Sequence, residues 1–262
     1  MTAPELYDTI GRSYTTTRRP DPRIATAIWD ALGDARTVLN VGAGAGAYEP
    51  PDRDVVALEP SPVMIAQRPP DAAPVVRGRA EDLPFEDRAF DAVMAVLSDH
   101  HWTDRPRGFR ELRRVARDRV VLFNADPREA DLFWLTTEYL PEFLDVIPAW
   151  YRQPGAWESE LRAAFGRVDK VPVPVPHDCL DGFYGAFWRR PDAYLDRDVR
   201  AGISVFAQVS SAAVDRAVTA LRADLDTGRW RQDHRELLAL SELHLGYYVI
   251  VAEPDRRTGG ST

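Results

Sequence analysis

Apolar residues fall along this chain in short runs separated by turn-forming clusters of Gly, Pro and Asp. Residues 38–41 (VLNV), 55–58 (VVAL), 90–97 (FDAVMAVL) and 119–123 (RVVLF) are nearly continuous runs, the pattern of strands buried on both faces of a sheet. Val75 and Val76 make a shorter one. Residues 168–175 alternate Val with Pro, and because proline lacks a ladder donor such a strand belongs at a sheet edge. Residues 243–252 (LHLGYYVIVA) read as the last strand. Between these runs the period lengthens. Ile24, Ile28 and Leu32 share one helical face, with Asp21 as N-cap, Pro22 at the first helical position and Gly33 past the end. Helices are also expected after Ser61 and over 106–116, 156–164 and 211–225, with an amphipathic segment over 129–143. Strands interleaved with helices predict an α/β fold with a doubly wound, mostly parallel seven-stranded sheet. Roughly 65 residues separate the last two strands, too many for a simple connection, and are read as an inserted helical cap.

The first strand runs into Gly42, Gly44 and Gly46, so the chain turns sharply and offers bare backbone to a ligand. The second strand ends in Glu59. A glycine turn after one strand and an acid at the tip of the next is how a doubly wound sheet holds a ribose. The same glycines satisfy the dinucleotide fingerprint, but only eight residues separate Gly46 from Val55, including Pro50 and Pro51. A crossover needs about a dozen residues to carry a helix, and a diphosphate needs that helix's N-terminal amides. A ligand without phosphates fits better.

Four blocks together carry a resemblance: VLNVGAGAGAY (38–48), VVALEPSPVM (55–64), GRAEDLPFEDRAFDAVMAVLSDHHWTD (78–104) and LRRVARDRVVLF (112–123). The chain resembles class I S-adenosylmethionine-dependent methyltransferases of the type-11, ubiquinone-biosynthesis-like group. The resemblance implies a Rossmann-like methyltransferase fold, the last strand antiparallel beside the fifth, and S-adenosyl-L-methionine as cofactor. It places Gly42, Ala43, Gly44 and Gly46 under the cofactor and Glu59 on its ribose. Pro60 and Met64 come beside the adenosine, Ala80 and Glu81 at the adenine edge, and Leu97 at the end of the fourth strand. Tyr14 and Arg18 or Arg19, in an N-terminal lid, would approach the methionine end, where an arginine fork suits a carboxylate. Three departures stand out: Asn40 replaces the usual acid in the first strand, Arg79 stands where an acid often precedes the adenine-binding alanine, and the first crossover helix is nearly deleted.

The fourth strand delivers Ser98, Asp99, His100, His101 and Trp102 to the sheet edge where ligands of open α/β folds bind. Histidine titrates in the range a base requires. His101, then His100, are the catalytic candidates, with His177 after the sixth strand; His101 reads equally as a packed residue closing the cofactor pocket beside Trp102. Trp102, His177, Phe183 and Trp188 are candidates for a substrate pocket under the cap. No spacing of His, Cys and carboxylates indicates a metal.

This reading divides the chain into an N-terminal lid and helix (1–37), a cofactor-binding core (38–176), the cap (177–240), the last core strand (241–253) and a tail (254–262) expected to be disordered. Composition narrows the partners. A net charge of −8 argues against nucleic acid, and no apolar run reaches the ~20 residues that span a bilayer. The lone Cys179 and the lack of a signal-peptide pattern suit a reducing, cytoplasmic setting. Lys170 is the single lysine among 33 basic residues, a bias associated with high-GC bacterial genomes. The expected function is methyl transfer to a small, largely apolar or aromatic molecule, by a monomer or homodimer. The alternatives are a cofactor-binding protein without methyl transfer and a nicotinamide-dependent oxidoreductase.

Overall fold

A computed structural model describes residues 17–147 and 153–253 of the chain. Helix α1 (Pro22–Ala31) leads into β1 (Thr37–Val41), β2 (Asp54–Glu59), α2 (Pro62–Ile65), β3 (Val75–Arg77), β4 (Phe90–Val96), α3 (Arg105–Val115) and β5 (Ala116–Ala125). Helices α4 (Phe143–Val146) and α5 (Ala156–Phe165) and strands β6 (Val168–Pro172) and β7 (Val175–Pro176) follow. The chain closes with α6 (Arg197–Ala201), α7 (Ser211–Asp226), α8 (Arg229–Asp233), β8 (Glu242–Leu243) and β9 (Tyr247–Ala252). Seven strands form one sheet in the order β3-β2-β1-β4-β5-β9-β6. β1 to β5 are parallel, and β9 is antiparallel to both β5 and β6.

Side chains alternate across a strand, and here the alternation sorts into two cores. Val38, Met94, Val121 and Phe123 face the layer of α1, where Ile24, Ile28 and Leu32 are buried. Leu39, Val93, Leu122 and Ile250 face α3 and α5, through Phe109, Leu112, Trp157 and Leu161. Asp21 caps α1 by accepting from Arg23 N–H at 3.0 Å. Between β1 and β2 there are turns only, so the first crossover carries no helix.

Three sequence expectations are corrected. The Val/Pro run is two strands: β6 pairs with β9 at the sheet edge, and β7 pairs with β8 in a separate ladder. Pro172 still pairs with Tyr248 and Pro176 with Glu242, so the prolines sit within ladders, and the break falls after Val173, where pairing passes from β9 to β8. The last strand is likewise split, at Gly246 (φ +74°). The segment over 129–143 is a 3₁₀ turn (Pro127–Leu132), a π turn (Leu135–Tyr139) and the start of α4, with Leu132 exposed rather than packed. Residues 177–240 lie between β7 and β8, whose pairing in the separate ladder pins the two ends of the segment together. Tyr14 and the expected tail lie outside the described residues.

Candidate active site

Gly42 and Gly44, after β1, have φ of +70° and +52°, where a side chain is strained. A Cβ on Gly42 would also lie 2.6 Å from Ser98 Cβ, and Ser98 Oγ donates to Val41 O at 2.9 Å. The turn is thus seated directly on the end of β4. Glu59, at the end of β2, accepts from Gly44 N–H at 2.8 Å and Ser61 N–H at 2.9 Å. These groups surround a cavity of about 100 Å³.

Most of the predicted cofactor residues line it. Asn40, Gly42, Ala43 and Gly44 form its floor, and Glu59, Pro60 and Met64 one side. Ala80 and Glu81 form another, and Arg18, Leu97, His101 and Trp102 close it. Glu81 also accepts from Thr103 N–H (2.7 Å), Thr103 Oγ1 (2.8 Å) and Asp104 N–H (3.2 Å). Burial pushes its carboxyl up, but these bonds outweigh it and hold it below its ordinary range. Gly46 is a correction: it does not line the cavity but backs onto Glu49 and Arg68.

Asn40 is 1% exposed. Its Nδ2 donates to Glu49 Oε1 at 3.3 Å. Glu49 in turn accepts from Arg68 Nη2 at 2.7 and 2.9 Å. An ionised carboxylate only accepts, so Glu49 fixes the amide with its NH₂ turned inward. Asn40 Oδ1 is left buried with no hydrogen-bond partner. A buried acceptor without a donor costs free energy, and a ligand ammonium at this cavity would satisfy it. With the glycine floor and Glu59, the residues present fit S-adenosylmethionine, and the neutral Asn40 still offers an oxygen. Glu49 carried no signal in the sequence beyond its position behind the glycine turn.

A second cavity, of about 680 Å³, meets the first across Arg18, Leu97, His101, Trp102 and Thr103, which line both. Leu97 lies at φ +47°, unusual for a side chain of its shape. A Cβ on Gly108 would lie 2.4 Å from Trp102 Cε3, so this glycine lets the indole lie against α3. His100 and His101, whose rings are 3.9 Å apart, occupy a 3₁₀ turn after β4. His100 opens onto the second cavity alone. Its surface is exposed, and the packing around the ring, then the charges of Arg105 and Arg18, lower its imidazole below the ordinary value. Burial and the neighbouring His100 hold His101 well below its ordinary value, against the opposing pull of Asp99. Both rings are therefore neutral at neutral pH, able to accept a proton but weakly basic.

The remaining wall is aromatic. Phe183 lines the second cavity as expected, with Phe133, Phe143 and Tyr184. Two predicted pocket residues do not line it. Trp188 is fully buried as core, its Nε1 donating to Val175 O at 2.9 Å. His177 lines neither cavity; its N–H donates to Ser241 O and its ring lies 3.3 Å from Asp178. Arg18 reaches both cavities, but its Nε lies 2.6 Å from Asp181 Oδ1, and Tyr48 Oη donates to Asp181 Oδ2 at 2.8 Å. It thus holds the N-terminal segment to residues 177–240. Arg19 is exposed.

Residues 39–123 match the family profile described as the methyltransferase domain. A candidate methyltransferase from an antibiotic biosynthesis pathway of Anabaena variabilis, known by crystal structure, is 34% identical with a TM-score of 0.80, over 90% of this chain and 98% of that one. An uncharacterized methyltransferase of Mycobacterium tuberculosis is 37% identical over 97 residues, 34% of this chain and 39% of the relative. The chain thus spans about two-fifths of the curated relatives it matches there. Haemonchus contortus phosphoethanolamine N-methyltransferase 2, solved with S-adenosyl-L-methionine, shares the fold at 15% identity (TM-score 0.56; 97% of this chain, 60% of that one). The glycine turn, the acid at the end of β2 and the seven-stranded order define a Rossmann-like methyltransferase fold. The chain belongs to the type-11 family of S-adenosylmethionine-dependent methyltransferases.

Proposed function

We propose that this chain holds S-adenosylmethionine in the first cavity and transfers its methyl group to a small, largely apolar or aromatic molecule in the second, in bacterial secondary metabolism. The observation that carries this reading is the shared wall: two cavities of different chemistry meet at Leu97, His101 and Trp102. The cofactor supplies an activated methyl on a sulfonium. The protein's part is then mostly position, since holding a nucleophile near ~3–3.5 Å from the methyl supplies much of the rate. His101 is the group placed to accept a proton or to orient the acceptor, with His100 behind it. Glu59 and Asn40 orient the cofactor, and Trp102 excludes water where the cavities meet. Residues 177–240 act as the cap, supplying Phe183 and Tyr184 to an apolar wall of the size small-molecule sites have. The antibiotic-pathway description of the Anabaena relative supports the metabolic setting.

A second reading, cofactor binding without methyl transfer, is favoured by the weak basicity of both histidines. Incubation with methyl-labelled cofactor and a panel of small aromatic acceptors separates the two. Label appearing in an acceptor is the expected result. Cofactor retained by the protein with no label transferred across the panel would favour the second reading. A nicotinamide recovered instead would defeat both.

A further inference from the structure

The second cavity carries a charge arrangement that methyl transfer does not require. Arg105, in the first turn of α3, sets one guanidinium between two carboxylates. Its Nη2 lies 2.7 Å from Asp99 Oδ2 and its Nη1 2.9 Å from Glu160 Oε2. The Asp99 side chain is 2% exposed, and its other oxygen accepts from Asn124 Nδ2. Glu160, on α5, lines the cavity, and its Oε2 meets Arg105 without an aligned hydrogen bond. One cation therefore serves two anions, and a negative charge is left over at the wall.

None of the other charged groups nearby supplies a spare cation. Arg18 is paired with Asp181, and Asp126 with Arg128 and Lys170. Asp104, which also lines the cavity, caps α3 by accepting from Arg107 N–H and brings no cation to the wall. The two histidines are neutral and do not supply the missing cation. Burial pushes the Glu160 carboxyl up even though Arg105 pulls it down, so the existing pair does not fully offset its desolvation.

We propose that the molecule bound in the second cavity has an apolar or aromatic body bearing a basic nitrogen, and that Glu160 receives this nitrogen as a cation. This rests on reading the second cavity as the acceptor site. A hydroxyl donor would leave the charge unbalanced, and an anion would add to it. The aromatic wall of Phe133, Phe143 and Tyr184 suits the body of such a molecule. A protonated amine has no lone pair with which to attack a methyl group. Glu160 also lies off the wall that the two cavities share. The amine is therefore an anchor, and the methylated atom is a different one, held at the Leu97–His101 end.

Calorimetric titration with tryptamine, tryptophol and indoleacetic acid, three probes differing in one polar group, tests this on the protein saturated with S-adenosylhomocysteine. Tryptamine should bind about tenfold or more tightly than tryptophol, with indoleacetate weakest. Glu160→Gln should bring the amine and the alcohol within about twofold of each other. Tightest binding of indoleacetate would give the anchor to Arg105 and overturn the proposal. So would equal binding of all three, an amine preference that survives Glu160→Gln, or no binding of tryptamine at about 10 mM. The wild-type ranking decides even if the variant does not fold. Failure of S-adenosylhomocysteine to bind would defeat the cofactor reading instead, and the amine ranking is then read on the protein alone.

Discussion

The two cavities are made from different material. The first is built on strand-end turns: Glu59 pins the glycine turn after β1 to the end of β2, and Glu81 ties the turn that follows β3 to Thr103 and Asp104 beyond β4. The second is made of side chains brought from far apart, from Arg18 near one end of the described chain to Tyr247 near the other. A site built on such turns is tied to the strand ends and must keep its glycines and its acid. A site built from side chains can be relined without disturbing the sheet, which is how one fold serves many substrates. The family profile spans residues 39–123, which supply nearly all of the first cavity's lining, whereas most of the second cavity's lining lies outside that span.

Breaking the brace behind the first cavity should have the largest effect. Glu49→Ala leaves the Arg68 guanidinium, 5% exposed, without its carboxylate, a loss of about 3–5 kcal/mol for a buried pair. Urea unfolding measures it, and a change below about 1 kcal/mol would show that the pair does not brace the turn. Next is the wall between the cavities. His101→Ala should lower turnover by ~100-fold with cofactor affinity near wild type. Turnover that falls only in step with cofactor binding would make His101 a piece of wall.

Glu59→Ala removes a charged hydrogen-bonding partner of ~1.5–3 kcal/mol, roughly tenfold to a hundredfold in cofactor affinity. Unchanged calorimetric binding by the folded variant would remove Glu59 from the ribose.

The smallest effect belongs to His100, an exposed residue at the rim of the second cavity. The packing around its ring, then Arg105 and Arg18, lower its imidazole from the ordinary 6.5 toward about 4. As pH falls the unfolded chain takes up the proton first, so this contribution to stability is present above 6.5 and lost as pH falls toward 4. His100→Gln should therefore lose less stability than wild type between neutral pH and about pH 5 in denaturant titrations. Identical slopes would mean that the ring is freely solvated.

The legibility of the sequence follows the same division. The strands, the missing crossover helix and the residues flooring the first cavity were readable because each is a local pattern. Glycines stand at a strand end, an acid stands at the next, and apolar runs mark the central strands. The Arg18–Asp181 pair joins residues 163 apart in sequence, and no local pattern announces it. Arg105 and Glu160 meet only because α3 packs on α5. His177 and Trp188 were misplaced for the same reason: composition placed an aromatic and polar cluster under the cap, but not which members turn toward the cavity. The split of the Val/Pro run had no local signal, since alternate prolines are tolerated along an edge strand and Pro172 and Pro176 both pair.

The central claim is that the methyl donor lies in the first cavity with its sulfur at the wall shared with an enclosed second one. A crystal structure with S-adenosylhomocysteine tests it most directly. The ribose is expected at Glu59, the amino group at Asn40 Oδ1 and the sulfur beside Leu97 and His101, opening onto a chamber touched by Phe183 and Tyr184. A cofactor bound elsewhere, or a sulfur facing a broad solvent-exposed groove away from residues 180–190, would contradict it.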